Sequence, residues 1–146
     1  MPIRWERLRA ERMVQKLYRD LFDREPERDV LRGLVGYLTE GRISARTQVM
    51  KMLKSEEFYD KRLRHKTPED MARELYRHVL VREPESAEEL QGAADFVGNL
   101  GWQVQVDVMI NSEEYLERFG DDATPGKPGA GNDVVAMNSA VRGAWQ

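Results

Sequence analysis

Two stretches of this chain are nearly alike: MVQKLYRDLFDREPE runs from Met13 to Glu27, and MARELYRHVLVREPE runs from Met71 to Glu85. Tyr18 of the first stretch corresponds to Tyr76 of the second, 58 residues later. Such an internal repeat is typical of one supersecondary unit used twice. A single unit of roughly 50 residues would bury too little surface to be stable alone. The sequence therefore predicts two copies that share one core.

A second matching run follows each copy. Lys54 to Phe58 reads KSEEF, and Asn111 to Tyr115 reads NSEEY. The serine can accept a hydrogen bond from a first-turn backbone N–H, and the glutamates lie near the positive end of the helix dipole. Both runs therefore predict the start of a helix.

Apolar residues recur at helical spacing through both halves of the chain, which favours helices throughout. In the first half these residues are Leu8, Met13, Leu17, Leu21, Phe22, Val30, Leu31, Leu34, Val35, Leu38, Val49, Met50, Leu53, Phe58, Tyr59 and Leu63. In the second half they are Met71, Leu75, Val79, Leu80, Leu90, Ala93, Phe96, Val97 and Leu100. Helix boundaries are indicated by the cap residues Ser44, Ser55, Thr67 and Ser86 and by Gly41, Gly101 and Gly120.

The segment from Trp102 to Ile110 admits two interpretations. Val104, Val106 and Val108 alternate as they would in a strand, whereas the repeat assigns the segment to a helix. An isolated strand would have no partner. We therefore predict a helix here and an all-α fold, in which two tandem helical repeats fuse into one bundle.

The predicted helical domain covers residues 1–122, with one repeat at about 6–63 and the other at about 67–120. Residues 123–146 are predicted to form a flexible tail, because proline and glycine are frequent just after residue 124. Val134, Met137, Val141 and Trp145 follow one another at intervals of three, four and four residues. Either this tail is disordered, or residues 133–145 form a short docking helix on a partner.

The amino-acid composition argues against some classes of function. The 146 residues are 40% hydrophobic and 34% charged, and 23 basic against 26 acidic residues give a net charge of −3. The charges are finely mixed, which argues against nucleic-acid binding. No apolar run is long enough for direct membrane insertion, and the first residues lack a secretory signal, so we expect a cytoplasmic protein. The basic run from Lys61 to Lys66 is either a solvated connection or a surface for an anionic partner.

Residues that would support catalysis are scarce. The chain has no cysteine, which excludes disulfides, thiolate metal sites, cysteine nucleophiles and thioether-attached chromophores on it. The histidines, His65 and His78, lack metal-binding spacing and are expected at the surface or in loops. No nucleophile elbow, Walker loop or dinucleotide-binding motif occurs. We therefore predict no enzyme activity, no catalytic residues, no metal site and no cofactor on this chain.

Five residues are predicted to contact a partner directly or to order the turns and packing of the surface that does. Arg24 and Arg82 lie in the repeated Arg-Glu-Pro-Glu turns, where they can order the turn by binding a carbonyl or a carboxylate. Trp102 and Tyr115 are expected to provide packing or partner contact. Trp145 would be the aromatic anchor of the tail.

The chain resembles the linker domain of phycobilisome linker polypeptides over about Met13 to Pro125. The residues that carry this resemblance are Gly41 to Ser44, Lys54 to Glu56, Arg82, Pro84, Gly101, Trp102, Val106, Asp107, Ile110 to Ser112, Glu114, Tyr115 and Phe119 to Asp121. At Val81, the family usually has a glycine before the arginine.

The resemblance implies an all-helical, non-enzymatic protein that docks into or onto phycobiliprotein trimers or hexamers and organises the light-harvesting antenna. The bilins would be carried by those partner chains, and other linkers are further candidate partners. It also implies a place at the cytoplasmic face of the thylakoid. Both halves resemble a bacterial helical repeat of surface-layer and haemolysin-associated proteins as well. That alternative would imply protein–protein interaction without pigment.

Overall fold

The computed structural model of the chain describes residues 5–125. Within this range all regular structure is helical and no strand occurs, so the predicted all-α fold is confirmed. The helices are, in chain order, α1 (Arg7–Phe22), α2 (Arg28–Thr39), α3 (Ala45–Leu53), α4 (Glu56–Phe58), α5 (Pro68–Leu75), α6 (Ala87–Leu100), α7 (Trp102–Ile110) and α8 (Glu113–Arg118). Two π-helical segments, Tyr59–Leu63 and Tyr76–Leu80, continue α4 and α5.

Local signals set the helix boundaries as predicted. Side-chain oxygens accept a hydrogen bond from the backbone N–H three residues later at Ser44, Ser55, Thr67, Ser86 and Ser112. This bond satisfies one of the donors that a helix start leaves free. Positive φ values occur at the predicted glycines, 72° at Gly41, 98° at Gly101 and 65° at Gly120. Glycine adopts such angles without the clash that a Cβ atom would cause.

Buried apolar side chains from both halves of the chain form a single core. In this core α1 packs on α2, α5 packs on α6, and α7 contacts both α3 and α6. Val49 and Val106, which are 57 residues apart, are both fully buried. Phe58 and Tyr115, at the same separation, are also fully buried. The two halves therefore meet along a seam between α3 and α7.

Polar contacts cross this seam as well. The Trp102 Nε1–H group donates a hydrogen bond to the Leu53 carbonyl oxygen at 3.1 Å, and the Trp102 ring lies 4.8 Å from the Tyr59 ring between centroids. The Lys54 Nζ atom lies 3.0 Å from both carboxylate oxygens of Asp107. Since these contacts join residues about 50 positions apart, they fix the register of one half against the other.

The last described residues pack against the start of α3. The Arg46 backbone N–H donates to the Asp121 carbonyl oxygen at 3.1 Å, and its Nε lies 2.7 Å from Asp121 Oδ1. Ala123 and Thr124 are buried. Packing thus continues a few residues past 122, because α3 holds the chain there. The suggested docking helix at 133–145 lies outside the described residues.

Three apolar side chains predicted for the core are exposed instead: Leu8 is 50%, Phe96 43% and Leu100 58% exposed. On α6 the buried stripe includes the small residues Ala93 and Ala94. Each residue turns an α-helix by about 100°, so larger side chains beside this stripe face outward. The apolar pattern gave the helix correctly, and of its predicted core residues Ala93 and Val97 are buried, whereas Phe96 and Leu100 are not.

His78 was expected at the surface and is buried, at 6% exposure. It lies in the π-helical segment after α5, where the wider turn changes which residues face inward. Its ring meets Phe58 edge-on with centroids 5.7 Å apart, and its Nε2 lies 3.2 Å from Glu74 Oε2. This hydrogen bond lowers the pKa of Glu74. His65, in contrast, lies exposed in a loop as predicted.

Candidate interaction surface

Arg24 fastens the first half of the chain internally. Its Nε and Nη2 atoms donate to the two carboxylate oxygens of Glu57 at 2.7 and 2.8 Å, and Nη1 lies 3.0 Å from Glu27 Oε1. The guanidinium carbon lies 5.1 Å from the centre of the Tyr18 ring. A two-pronged arginine–carboxylate pair of this kind fixes orientation as well as charge. We call this arrangement the arginine clasp.

Arg82 forms the corresponding clasp in the second half. It donates to the two carboxylate oxygens of Glu114 at 2.7 and 2.8 Å, and to Glu89 Oε1 at 2.8 Å. Its guanidinium carbon also lies 5.1 Å from the centre of an aromatic ring, that of Tyr76. Both arginines therefore order the turns after α1 and α5, as their sequence context predicted.

The basic run at Lys61 also serves the fold. Lys61 Nζ donates to the Phe22 carbonyl oxygen at 2.6 Å, and Arg62 binds two further carbonyls at the same end of α1. Arg118 binds the carbonyl of Leu80 in the second half. Cations at helix C-termini satisfy free carbonyls and oppose the negative end of the dipole. For Lys61 and Arg62, the first two cations of the basic run, these hydrogen bonds favour a role within the chain over binding of an anionic partner.

The two arginine clasps lower the pKa values of the carboxyl groups that they bind. Hydrogen bonds from Arg24 and Lys61 lower the pKa of Glu57 to about 2. Arg82 lowers the pKa of both Glu89 and Glu114 in the same way. A carboxylate that accepts a hydrogen bond from a cation holds its negative charge to lower pH than a free one.

These shifts predict a loss of stability in acid. A carboxyl group with a lowered folded-state pKa stabilises the fold above its ordinary pKa of 4.5, and this contribution is lost as pH falls from about 4.5 to about 2. We expect the urea midpoint, followed by circular dichroism, to fall over this interval. The Glu57→Gln variant should be less stable than the native chain at neutral pH and show a weaker acid dependence. An equal acid dependence in both proteins would contradict the assignment.

A groove of about 590 Å³ lies beside the first clasp, between α1, α2 and α3. Its apolar lining comes from Tyr18, Phe22, Val30, Leu34, Ile43 and Met52. Tyr37 stands at its rim with 46% of its surface exposed. The helical spacing of α2 predicts core residues, and these do lie in the core or pack against it, but the spacing does not predict a groove beside them. Within α2 only Val35 and Leu38 are buried, so Val30, Leu34 and Tyr37 remain available to line the groove.

The charges around this groove are unevenly compensated. Glu57, at one end, is neutralised by Arg24 and Lys61. Arg42 lies 2.9 Å from Glu40 between Nε and Oε2. Lys51 is exposed, and within residues 5–125 it has no ion-pair partner. The groove thus combines an apolar lining with one uncompensated cation.

Further exposed apolar side chains lie on the other half of the chain. They are Phe96 and Leu100 on α6 and Val104 and Val108 on α7. The members of each pair are four residues apart and so lie on one face of their helix.

The four predicted partner-binding residues that lie within residues 5–125 all make contacts inside the chain. Arg24 and Arg82 direct their donors to carboxylates of their own halves. Trp102 lies half-buried in the seam. Tyr115 was predicted to contact a partner or to pack, and it packs: it is fully buried, with its ring centroid 5.0 Å from that of Phe119. Trp145 lies outside the described residues.

Among the described side chains, no cluster of three or more histidine, aspartate or glutamate residues is placed to hold a metal ion. None of the helices in residues 5–125 has both the length and the apolar character needed to cross a bilayer.

Comparison with known proteins identifies similar chains. Residues 5–127 match the family described as Phycobilisome Linker polypeptide. The chain is 32% identical over 119 residues to the phycobilisome 32.1 kDa linker polypeptide, phycocyanin-associated, rod 1 of Synechocystis sp., which covers 80% of this chain and 40% of that protein. It is 34% identical over 110 residues to phycobiliprotein ApcE of Microchaete diplosiphon, covering 73% of this chain and 10% of that protein. The chain therefore spans less than half the length of either relative.

Proposed function

We propose that this chain, which belongs to the phycobilisome linker polypeptide family, is a non-enzymatic linker or assembly protein that docks into or onto phycobiliprotein rings. The observation that carries this proposal is the family match over residues 5–127, because it covers the whole described domain. The match and the related linkers favour this function over that of a surface-layer-type repeat.

The geometry supports a scaffold. Each half is fastened by its own arginine clasp, and the halves share one core, so the domain presents a fixed outer surface. A rigid surface loses little conformational entropy when it binds a preformed ring, which favours affinity. Because the chain contains no cysteine, any thioether-attached bilin would be carried by the partner. We place the complex at the cytoplasmic face of the thylakoid, with other linkers as further partners.

The proposal is tested by co-sedimentation. The full chain is mixed with the phycobiliprotein trimers obtained by dissociating phycobilisomes, and bilin absorbance is followed through a sucrose gradient. We expect at least one coloured class to sediment faster in the presence of the chain and to contain it. A control uses the same chain after acid unfolding, which should leave the trimers unshifted. If no coloured class shifts, the proposed function is wrong.

A further inference from the structure

The groove between α1, α2 and α3 is a surface for which the fold itself supplies no occupant among the described residues. We propose, building on the proposed function, that this groove receives an apolar side chain of the phycobiliprotein ring, with a neighbouring carboxylate of the ring paired to Lys51.

The shape and lining of the groove favour an apolar anchor. Its volume of about 590 Å³ lies in the range typical of ligand pockets, so it has room for a large apolar side chain. Leu34 and Met52 line it, and Tyr37 stands at its rim. Interfaces are commonly centred on such pockets, where a few aromatic or aliphatic side chains carry most of the binding energy.

The charges indicate which residue should accompany that anchor. Glu57 is held by Arg24 and Lys61, so it does not repel an approaching carboxylate as a free glutamate would. Lys51 has no acidic partner within residues 5–125 and lies beside the apolar lining. A carboxylate next to the apolar anchor would compensate this charge and fix the orientation of the partner.

The test compares groove variants with variants at matched exposed positions of the second half. Tyr37→Ala and Lys51→Glu alter the groove at exposed side chains, so the fold should be kept. Phe96→Ala is the control for Tyr37, because it is an aromatic of similar exposure, 43% against 46%, on the second helix of its half. Val108→Glu is the control for Lys51, because it places a glutamate 57 residues later on the exposed face of α7. Thermal melting of each variant checks the fold.

Binding of each full-length variant to the phycobiliprotein trimers is measured by titration in the sedimentation assay. We expect Tyr37→Ala and Lys51→Glu each to weaken binding by roughly tenfold or more, and the two controls to change it by less than about twofold.

The outcomes separate this inference from the proposed function. If the native chain binds no trimer, both fail. If the native chain binds and the groove variants bind as tightly, the inference fails while the proposed function stands. If the groove variants instead change the sedimentation of the chain alone, the occupant is a second copy of this chain and the inference is wrong.

Discussion

Replacing Tyr115 with alanine is expected to lower the free energy of unfolding by about 3–5 kcal/mol, a large fraction of the stability of a domain of this size. The side chain is fully buried and packs against Phe119, so its removal leaves a cavity in the shared core. The measurement is urea unfolding at neutral pH, followed by circular dichroism.

The Tyr115→Phe variant is the control. Among the described residues the buried Tyr115 hydroxyl has no hydrogen-bond partner, and burial raises the pKa of this group. Removing an unpaired buried hydroxyl while keeping the ring should leave stability unchanged or raise it. The first half already has phenylalanine, Phe58, at the matching buried position. A loss with phenylalanine as large as that with alanine would show that the hydroxyl, not the ring, stabilises the core.

Replacing Trp102 with alanine is expected to lower the free energy of unfolding by about 3 kcal/mol, at the low end for a large aromatic because the ring is only half-buried. The change removes the contact with the Tyr59 ring and the hydrogen bond to the Leu53 carbonyl, both of which join the two halves. Thermal or urea unfolding gives the result directly.

The matched control for this position is Trp102→Phe. It keeps most of the ring contact and loses one hydrogen bond, so we expect a loss of about 1 kcal/mol. Unchanged melting of the alanine variant would refute the role of Trp102 in the seam. If the Trp102→Ala variant melted as the native chain does but bound the trimers more weakly, Trp102 would instead be a partner contact.

Helix boundaries could be predicted because their causes lie within a few residues. The hydroxyl of Ser112 caps the helix that it precedes, and Gly101 needs only its own φ angle to separate two helices. The segment from Trp102 to Ile110 looked like a strand by alternation alone, and the internal repeat gave the correct helix. Local chemistry and repetition were therefore sufficient for the secondary structure.

What could not be predicted depends on contacts between distant residues. Arg24 pairs with Glu57, which is 33 residues away, and several other carboxylates were equally plausible from sequence. Phe96 is exposed because neighbouring alanines form the buried stripe of α6, and helical spacing alone does not distinguish these faces. The groove is likewise a property of three packed helices. Val30 and Leu34, which line it, fit a core pattern equally well, so helical spacing alone does not reveal the groove.

Val81 ends the second π-helical segment with an unusual backbone angle. Val81 adopts a φ of 53° at the end of its helix, a left-handed angle that costs a residue with a Cβ atom roughly 1–2 kcal/mol. Its partly buried side chain packs against the core, which offsets much of this cost. A glycine at this position would remove the strain and the packing together. Because the two effects are similar in size, selection on stability would act only weakly between valine and glycine here, and the position is open to neutral drift.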